Sequence, residues 1–435
     1  MLQAYQNIVH QDKKIEKILK SFFLLHPQNV DLSLNRIKRL LHSLKNPHKN
    51  IENIIHIAGT NGKGSIATIL FNLQKIQGKT VNVYRSPHLI SFNERFFIRN
   101  KKISNKYLFE VLEFIKEVNE GLPITFFEII TAAAFYMFYE NRADLTILEV
   151  GLGGRCDATN IIDKSLISII STIDIDHKEF LGNNIKAIAK EKVGIIKRNS
   201  CVISSIQKLA AKKIIHEKAH TMGSQLNECN VDWKVKNKIF YYKDIEINLS
   251  RLSLLGKHQY INASCALMAC VKKKILNIDF NTIDKSLSMI KWSGRIEKIK
   301  SHASSSYKDL EIWADVAHNK LGFKVLIDWV KESNLNNLYI ILALGIKKSY
   351  LNVLKEINKT NPKVIYLVSM TNFQNHNPYK IQKAATKYGI KTLVCDTAFN
   401  ALDDIKKNNQ SKLERKRIII TGSIGLVGSF LSEMK

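Results

Sequence analysis

A glycine-rich string near the N-terminal end of the sequence has the residue types and spacing of a phosphate-binding loop. It reads Ala58-Gly59-Thr60-Asn61-Gly62-Lys63-Gly64-Ser65. Glycines let the backbone approach an anion closely, and the N–H groups at the start of a following helix then point at that anion. Lys63 would reach the terminal phosphates of a nucleotide, and the Ser65 hydroxyl follows it as in a Walker A loop.

The spacing of this string departs from the Walker A pattern, because the loop is shorter and Gly64 stands between Lys63 and Ser65. The alternative interpretation is a glycine-rich turn with a solvated lysine. The string lies between an apolar run and a helical pattern, which is where phosphate loops lie in nucleotide-binding α/β folds. We therefore favour the phosphate loop.

Two further strings follow apolar runs and carry side chains that suit a metal–nucleotide site. Glu149 ends one run and precedes a Gly-rich stretch at 151–154, which either lets a ligand approach the backbone or simply forms a turn. A carboxylate at the carboxyl edge of an α/β sheet is well placed to hold Mg²⁺ beside a nucleotide. His177 follows another apolar run. A single histidine is more often structural, but its place at the same edge favours a functional role.

Two strings flank a polar, serine-rich stretch further along the chain. They are Trp292-Ser293-Gly294-Arg295 and Asp315-Val316-Ala317-His318-Asn319. Arg295 could contact phosphates, and Asp315 could bond a ribose or a base edge. The Gly-rich string at 422–428 has the spacing G-x-x-G-x-x-G rather than the dinucleotide-binding pattern, so we interpret it as packing between a strand and a helix.

The elements that would position these residues alternate between short β-branched runs and helical patterns. Strands are predicted at 53–59, 81–84, 145–150 and 166–173, and helices from about 63 and at 130–140. This alternation predicts an α/β fold with a mostly parallel sheet covered on both faces. Residues 231–250 have the pattern of antiparallel β structure, and helical periodicity returns at 258–290.

A second series of alternating elements follows the polar stretch. Its predicted strands are 311–316, 338–344, 363–369, 390–395 and 417–422. We therefore predict two domains, at 1–297 and 311–435, joined by a linker at 298–310.

The composition of the 435-residue chain excludes several classes of protein. Apolar residues make up 45% and charged residues 24%, which argues against collagen, a coiled coil, a disulfide scaffold and wholesale disorder. Lys and Arg number 66 against 38 Asp and Glu, a formal net charge of +28. Only twelve of the positive residues are Arg, whose planar fork suits phosphate groups best. We attribute the charge to a Lys-, Ile- and Asn-rich composition, although it would help attract anionic substrates.

The six cysteines form no C-x-x-C pair, so we expect reduced thiols rather than disulfides or a zinc site. The N-terminus lacks an apolar core of signal-peptide length, and no apolar run is long enough to span a membrane. These features predict a cytoplasmic protein with neither a membrane nor a nucleic acid as partner.

Taken together, the strings resemble those of one family, the folylpolyglutamate synthase/dihydrofolate synthase family within the Mur ligase superfamily. The matching strings are, in chain order, HPQNVDLSLNRIKRLL (26–41), AGTNGKGS (58–65), RSPHL (85–89), TFFE (125–128), EVGLGGRCDATN (149–160), DIDHKEFLG (174–182), EKVGIIK (191–197), LGKHQYINA (255–263), WSGRIE (292–297) and DVAHN (315–319). Each string alone is unspecific, whereas their combination in this order is highly specific.

The resemblance implies a Mur-ligase-like P-loop ATPase domain with a mostly parallel sheet and a smaller, Rossmann-like C-terminal domain. It implies an ADP-forming ligase that joins L-glutamate to dihydropteroate and to folates through an acyl phosphate. The expected ligands are ATP, one or two Mg²⁺ ions and the small-molecule substrates, and we expect a monomer.

The resemblance also implies roles for individual residues. Residues 59–65 would bind the ATP phosphates, and the further expected ATP contacts are Asn262, Arg295, Asp315 and His318. The expected catalytic residues are Lys63, Glu149, His177 and Lys192, and the expected Mg²⁺ ligands are Ser86, Glu149 and His177. The residues expected to hold dihydropteroate are Val30, Asp31, Leu32, Thr125, Phe126, Phe127, Glu128, Cys156, Asp157 and Ala158.

Lys192 has no signal of its own in the sequence, where its surroundings are typical of an exposed helix lysine. By resemblance alone it matches the position of a carbamylated lysine, whose carbamate would bring negative charge to a second metal ion.

Two departures from the family pattern lie in the predicted C-terminal domain. Residues 345–349 contain Lys347 and Lys348 where many relatives have an acidic stretch, and Lys320 stands where many have proline. Three alternatives stay open: folylpolyglutamate synthase activity alone, another Mur-type ligase acting on a UDP-linked precursor, and a nucleic-acid-binding protein without enzymatic activity. The strings near 30 and 156 argue against the second. The lack of a basic motif interleaved with aromatic residues argues against the third.

Overall fold

The computed structural model describes residues 10–28, 30–275, 279–299, 306–370, 374–407 and 415–434. The chain divides into two compact units, the first comprising Met1–Ser253 with Gln259–Ile290 and the second Leu254–His258 with Lys291–Lys435. In this division the string at 292–295 belongs to the second unit. The domain boundaries and the linker at 298–310 stay predictions, and residues 300–305 of that linker lie outside the described residues.

The described residues of the first unit form two β-sheets and a series of helices. Its strands are β1 (Ile54–Ala58), β2 (Val81–Tyr84), β3 (Phe96–Ile98), β4 (Lys101–Lys102), β5 (Leu145–Glu149), β6 (Ile167–Ile170), β7 (Cys201–Ser204), β8 (Gln225–Glu228), β9 (Lys234–Lys236), β10 (Ile239–Tyr242) and β11 (Ile245–Asn248). Its helices are α1 (Lys13–Phe23), α2 (Asn35–Ser43), α3 (Lys63–Ile76), α4 (Asn105–Asn119), α5 (Phe126–Glu140), α6 (Lys178–Leu181), α7 (Ile185–Lys192), α8 (Leu209–Thr221), α9 (Lys257–Lys272, whose first two residues group with the second unit) and α10 (Phe280–Ser288).

The main sheet of this unit has eight strands in the order β4-β3-β2-β5-β1-β6-β7-β8. Strands β2, β5, β1, β6, β7 and β8 pair in parallel, and β3 and β4 add an antiparallel edge beside β2. All residues of β1 and β5 are buried, as expected of near-continuous apolar runs in a parallel sheet covered on both faces. The predicted antiparallel structure within 231–250 is the three-stranded sheet β11-β10-β9.

Helices α1, α2, α4 and α5 enclose a large apolar cluster on one side of the main sheet. Its largest members include fully buried aromatic side chains from four different segments, Phe22, Tyr84, Phe96 and Phe135. A capping box begins α5, because Thr125 accepts a hydrogen bond from the Glu128 N–H while the Glu128 side chain accepts one from the Thr125 N–H. This cluster fixes the N-terminal end of α5 in the unit.

The second unit is built around one six-stranded sheet. Its strands are β12 (Glu297–Lys298), β13 (Glu311–Ala314), β14 (Leu338–Leu342), β15 (Val364–Val368), β16 (Thr392–Cys395) and β17 (Arg417–Thr421), in the order β12-β13-β17-β14-β15-β16. Its helices are α11 (Lys320–Glu332), α12 (Tyr350–Ile357), α13 (Pro378–Thr386), α14 (Ala398–Lys407) and α15 (Ile424–Glu433). Among the strands that the described residues form in this unit, β12 alone pairs antiparallel and the others pair in parallel, which confirms the predicted α/β class.

Among the described residues, no helix combines the length and the apolar character that crossing a membrane requires.

Candidate active site

Four of the predicted strings follow neighbouring parallel strands of the main sheet. Ser86 follows β2, Glu149 is the last residue of β5, the string 59–65 follows β1, and His177 lies in the segment after β6. These four strands are adjacent in the sheet, in the order β2-β5-β1-β6. The carboxyl ends of parallel strands meet at one edge, so the fold brings the four strings to the edge where α/β sheets bind ligands.

The phosphate-loop string connects β1 directly to α3, which begins at Lys63. The loop is fastened to the segment after β6, because the Thr60 N–H donates to the Thr172 carbonyl (2.9 Å). The Thr60 hydroxyl donates to the Asp174 carbonyl (2.9 Å) and accepts from the Asp174 N–H (3.0 Å). These bonds hold the loop in one conformation without using the Lys63 side chain.

Two glycines of the loop are required by close approach as well as by backbone conformation. Gly59 and Gly62 have φ values of +151° and +94°. A Cβ on Gly59 would lie 1.8 Å from the Ser171 Oγ, and a Cβ on Gly62 would lie 2.6 Å from the Asn262 Oδ1. The structure therefore places Asn262, an expected ATP contact on α9, directly against the phosphate loop. The Ser171 hydroxyl is buried without a hydrogen-bond partner among the described residues.

The Gly59 carbonyl oxygen accepts hydrogen bonds from two lysines. The Lys63 Nζ lies 3.1 Å away and the Lys192 Nζ 2.9 Å away. Lys192 ends α7 and is buried. Burial, followed by the positive charge of Lys63, lowers the pKa of Lys192 to about 7. Lys192, which has no signal of its own in the sequence, thus lies beside the phosphate loop as a buried amine with a lowered pKa.

Glycines after Glu149 pack closely against other protein groups. A Cβ on Gly151 would lie 2.5 Å from the Phe127 ring, and a Cβ on Gly154 would lie 2.7 Å from the Glu191 carbonyl and 2.9 Å from that of Lys192. These contacts show that the stretch is closely packed, and ligand contact by its backbone stays a prediction. Its close packing positions the end of α7.

The expected metal ligands supply one carboxylate, one imidazole and one hydroxyl. Glu149 is buried. His177 has a left-handed φ of 50° immediately before α6, and its Nε2 lies 4.0 Å from the Asp176 carboxylate. Arg85, next to Ser86 in the chain, is half-buried. This lowers its pKa to about 10, although the charges of Glu149 and Glu94 act in the opposite direction.

Within the described part of the chain, no group of three or more His, Cys, Asp and Glu side chains could hold a metal ion without other ligands. Mg²⁺ does not need such a group, since it commonly binds through one or two carboxylates, waters and substrate phosphates. A buried Glu149 at the same sheet edge as the phosphate loop, with the unpartnered Ser171 hydroxyl beside Gly59, fits an ion of this kind.

Two of the segments expected to hold dihydropteroate are connected by one arginine that the sequence analysis did not identify. The Arg36 guanidinium donates to Asp31 and to Glu128, each at 2.9 Å. Phe126 stacks on Phe23 with ring centroids 3.9 Å apart and planes 6° apart. Val30 and Leu32, on either side of Asp31, are half-buried.

Asp157, in the third of these segments, uses its carboxylate to hold its own loop. One oxygen accepts from the Leu152 N–H (2.8 Å), and the other accepts from the N–H (3.0 Å) and hydroxyl (2.5 Å) of Thr159. Burial raises the pKa of Asp157. The Thr159 Oγ1 also lies 2.8 Å from the Nε2 of His56 on β1, so this network joins β1 to the segment 156–158. Ala158 is buried and Cys156 half-buried.

The remaining expected ATP contacts lie in the second unit and are close to one another. The buried Asp315 carboxylate accepts from the backbone N–H groups of Ile296 (3.0 Å) and Ala317 (2.8 Å). Burial raises the pKa of Asp315 to about 6, and the charge of Arg295 acts in the opposite direction. The His318 Nδ1 lies 2.9 Å from the Val316 carbonyl.

The first glycine of the Gly-rich string at 422–428 packs against a neighbouring strand, as the spacing of the string predicts. A Cβ on Gly422 would lie 2.4 Å from the Ala343 carbonyl, so the turn after β17 fits against β14 and the residues after it. Ser423 caps α15 by accepting a hydrogen bond from the Gly425 N–H (3.1 Å).

Comparison with known proteins places this site in a family. The profile of the Mur ligase middle domain matches residues 57–270. A dihydrofolate synthase/folylpolyglutamate synthase of Bacillus subtilis is 30% identical over 433 aligned residues, which cover 93% of this chain and 96% of the relative. The chain belongs to the dihydrofolate synthase/folylpolyglutamate synthase family.

Solved structures of the family support the same conclusion. A folylpolyglutamate synthase of Mycobacterium tuberculosis, in complexes with ADP and AMPPCP, is 25% identical with a TM-score of 0.83, covering 97% of this chain and 99% of that one. The folylpolyglutamate synthase of Thermotoga maritima is 28% identical with a TM-score of 0.80, covering 98% of both chains. The α/β fold of this dihydrofolate synthase/folylpolyglutamate synthase family member and its class, an ADP-forming ligase, are therefore confirmed.

Proposed function

We propose that this protein joins L-glutamate to dihydropteroate, and also to folates, with ATP as the energy source. One observation carries the proposal: the three segments expected to hold the pterin are tied to each other and to the phosphate loop. Arg36 joins Asp31 to Glu128, and Phe127 packs on Gly151 at the start of the turn that Asp157 holds. The same turn packs on the backbone of Lys192, whose side chain donates a hydrogen bond to the Gly59 carbonyl of the phosphate loop.

The chemistry begins with an acceptor carboxylate, which is a poor acylating agent because its oxygen is a bad leaving group. One carboxylate oxygen attacks the γ-phosphorus of ATP, the bond to the β-phosphate oxygen breaks, and ADP leaves. The resulting acyl phosphate is attacked by the neutral amine of glutamate. The amide bond forms, the amine gives up a proton, and inorganic phosphate leaves with the acceptor's former oxygen.

Residues of the phosphate loop would orient the triphosphate for this transfer. The N–H groups of Thr60 and Asn61 bond the Thr172 carbonyl, so the backbone N–H groups from Gly62 to Ser65, at the start of α3, would face the phosphates. Lys63 would exchange its bond to the Gly59 carbonyl for one to a phosphate oxygen. Asn262, against Gly62, would contact the nucleotide from α9. Arg295, Asp315 and His318 would provide the ATP contacts of the second unit.

Ser86, Glu149 and His177 would hold Mg²⁺, which when bound would offset the charge that accumulates between the acceptor carboxylate and the triphosphate. Lys192 would carry a carbamate. A neutral amine is needed to attack CO₂, and burial of Lys192 provides one near neutral pH. We further propose that the protein acts as a monomer in the cytoplasm.

The test of the proposal is ADP release by the purified protein with ATP, Mg²⁺ and L-glutamate, using a different acceptor in each assay. We expect turnover with dihydropteroate and with a reduced folate monoglutamate. Turnover with the folate alone would restrict the protein to folylpolyglutamate synthase activity. Turnover with neither acceptor, but with a UDP-linked muropeptide precursor, would contradict the proposal in favour of another Mur-type ligase.

A further inference from the structure

Arg36 makes the contacts of a clamp between two segments that are far apart in the sequence. Its Nη1 donates to the Asp31 carboxylate (2.9 Å), its Nη2 to the Asp31 carbonyl (2.8 Å) and its Nε to the Glu128 carboxylate (2.9 Å). Asp31 belongs to the loop before α2, and Glu128 to the first turn of α5. A guanidinium presents its donors in one rigid plane, so these three bonds fix the loop against the helix.

The two ends of this clamp differ in burial. The Glu128 side chain is 4% exposed and also accepts from the N–H (2.9 Å) and hydroxyl (2.7 Å) of Thr125. The Asp31 side chain is 38% exposed, and its carboxylate lies 3.5 Å from the Nε2 of His26. Glu128, at the buried end, anchors Arg36 to the core of the first unit. Asp31, at the exposed end, leaves its loop accessible to a ligand.

Apolar packing also restrains the loop at 30–34, since Leu32 and Leu34 pack against two apolar clusters of the first unit, but its hydrogen bonds other than those of Arg36 are local. The residue that precedes α2 is Leu34, which has no side chain able to cap the helix. Ser33 makes two local bonds, from its N–H to the Asp31 carbonyl (3.0 Å) and from the Asn35 N–H to its hydroxyl (3.2 Å). Neither bond reaches another element, whereas Arg36 connects the loop to α5.

Burial alone would lower the pKa of Arg36, but the nearby carboxylates of Glu128 and Asp31 raise it above its usual value. The guanidinium is therefore charged at any pH at which the enzyme works. Loss of the Arg36 guanidinium would leave the buried Glu128 carboxylate without its counter-charge, which strongly destabilises the folded protein. A lysine would keep the charge but could not bridge both carboxylates in one plane.

We propose that Arg36 is a positioning residue for the pterin-bearing acceptor, because it holds the Asp31 loop in its binding conformation before the acceptor arrives. This inference rests on the proposed function. Preorganisation removes the cost of ordering the loop on binding, so its loss weakens acceptor binding and leaves nucleotide binding unchanged. Arg36 need not touch the acceptor itself.

The experiment compares Arg36→Lys with the unaltered protein, in steady-state assays of ADP release and in direct titration with dihydropteroate. We expect KM and Kd for dihydropteroate to rise roughly tenfold, which corresponds to ordering a few side chains on binding. KM for ATP should stay within about twofold, because the bonds of the phosphate loop do not involve Arg36.

A matched control lies one turn further along the same helix. Arg39 donates to the Asn119 side chain (2.9 Å) and contacts neither Asp31 nor Glu128 through a hydrogen bond. Arg39→Lys makes the same chemical change on α2 and should leave both KM values unchanged. A double-mutant cycle of Arg36→Lys with Asp31→Asn should show less than additive losses, since the two substitutions break the same bond.

Three results would contradict the proposal that Arg36 is a positioning residue for the acceptor. One is an unchanged dihydropteroate Kd in Arg36→Lys, the second is an equal rise of KM for ATP and acceptor, and the third is additive losses in the cycle. Each of these leaves the proposed function standing as long as the unaltered protein turns over dihydropteroate. If the unaltered protein does not bind dihydropteroate at all, the proposed function fails and the clamp fails with it.

Discussion

Lys192 is buried beside the phosphate loop, and its pKa is therefore lowered in a way that its neighbours in the sequence do not predict. Its pKa falls to about 7 because the amine is enclosed and Lys63 shares the same carbonyl acceptor. In the unfolded chain the pKa of a lysine is about 10.4. Between these two values the unfolded state binds more protons than the folded one, so stability rises with pH across this window.

This difference predicts the behaviour of Lys192→Met, which removes the titrating group but keeps an unbranched side chain. Measured in CO₂-free buffer, the unfolding free energy of the unaltered protein should rise by a few kcal/mol between about pH 7 and pH 10 relative to that of the variant. Chemical denaturation at several pH values gives the comparison. If the unfolding free energies of the two proteins changed with pH in the same way, Lys192 would have an ordinary pKa.

A second residue-scale prediction concerns the hydroxyl of Thr159, which lies between Asp157 and His56. Thr159→Val keeps the shape of the side chain but removes one bond to a buried carboxylate and one to a buried imidazole. We expect a loss of about 1–3 kcal/mol in stability, because both buried groups lose a partner. Thr159→Ser keeps the hydroxyl and should lose much less. Equal thermal midpoints for Val and Ser variants would contradict this role.

Among the elements, the turn at 151–154 and the end of α7 depend on each other. Because a Cβ on Gly154 would meet the backbone of Glu191 and Lys192, Gly154→Ala must displace the end of α7. Overpacking of this kind costs about 1–3 kcal/mol. We expect a lower thermal midpoint together with reduced ligase activity, since Lys192 moves with the helix.

The control for this substitution is Gly345→Ala in the second unit. The nearest atom to a Cβ on Gly345 lies 3.8 Å away, and its φ is not positive. Its thermal midpoint should match that of the unaltered protein. If Gly154→Ala behaves like Gly345→Ala, the turn does not position α7.

The sequence predicted the strands and the phosphate loop because each of these features depends on residues that are neighbours in the chain. The apolar run at 145–150 is β5, the run at 81–84 is β2, and Lys63 begins α3 as predicted. Lys192 and Arg36 could not be found in this way. Their surroundings are made by Gly59 and by Glu128, which are distant in the sequence and reach them only in the folded chain.

At the scale of the whole molecule, the formal charge of +28 bears on how anionic substrates arrive. Folates carry more negative charge as their glutamate tails lengthen. A strongly positive protein attracts such ligands over long range, and salt screens the attraction. We expect kcat/KM to fall with rising ionic strength, and to fall more steeply for an acceptor with a longer tail. If kcat/KM fell equally with ionic strength for short and long tails, the charge of the protein would have no part in substrate capture.

Family membership and the sheet-edge geometry together support one central claim, that the enzyme activates the acceptor carboxylate by phosphoryl transfer. The most direct measurement follows heavy oxygen from the carboxylate of labelled dihydropteroate during turnover with unlabelled ATP and glutamate. Attack of the carboxylate on the γ-phosphorus predicts that one labelled oxygen ends in inorganic phosphate for each amide bond formed. Phosphate that carries no label, with the displaced heavy oxygen found in water or in another product, would contradict the account.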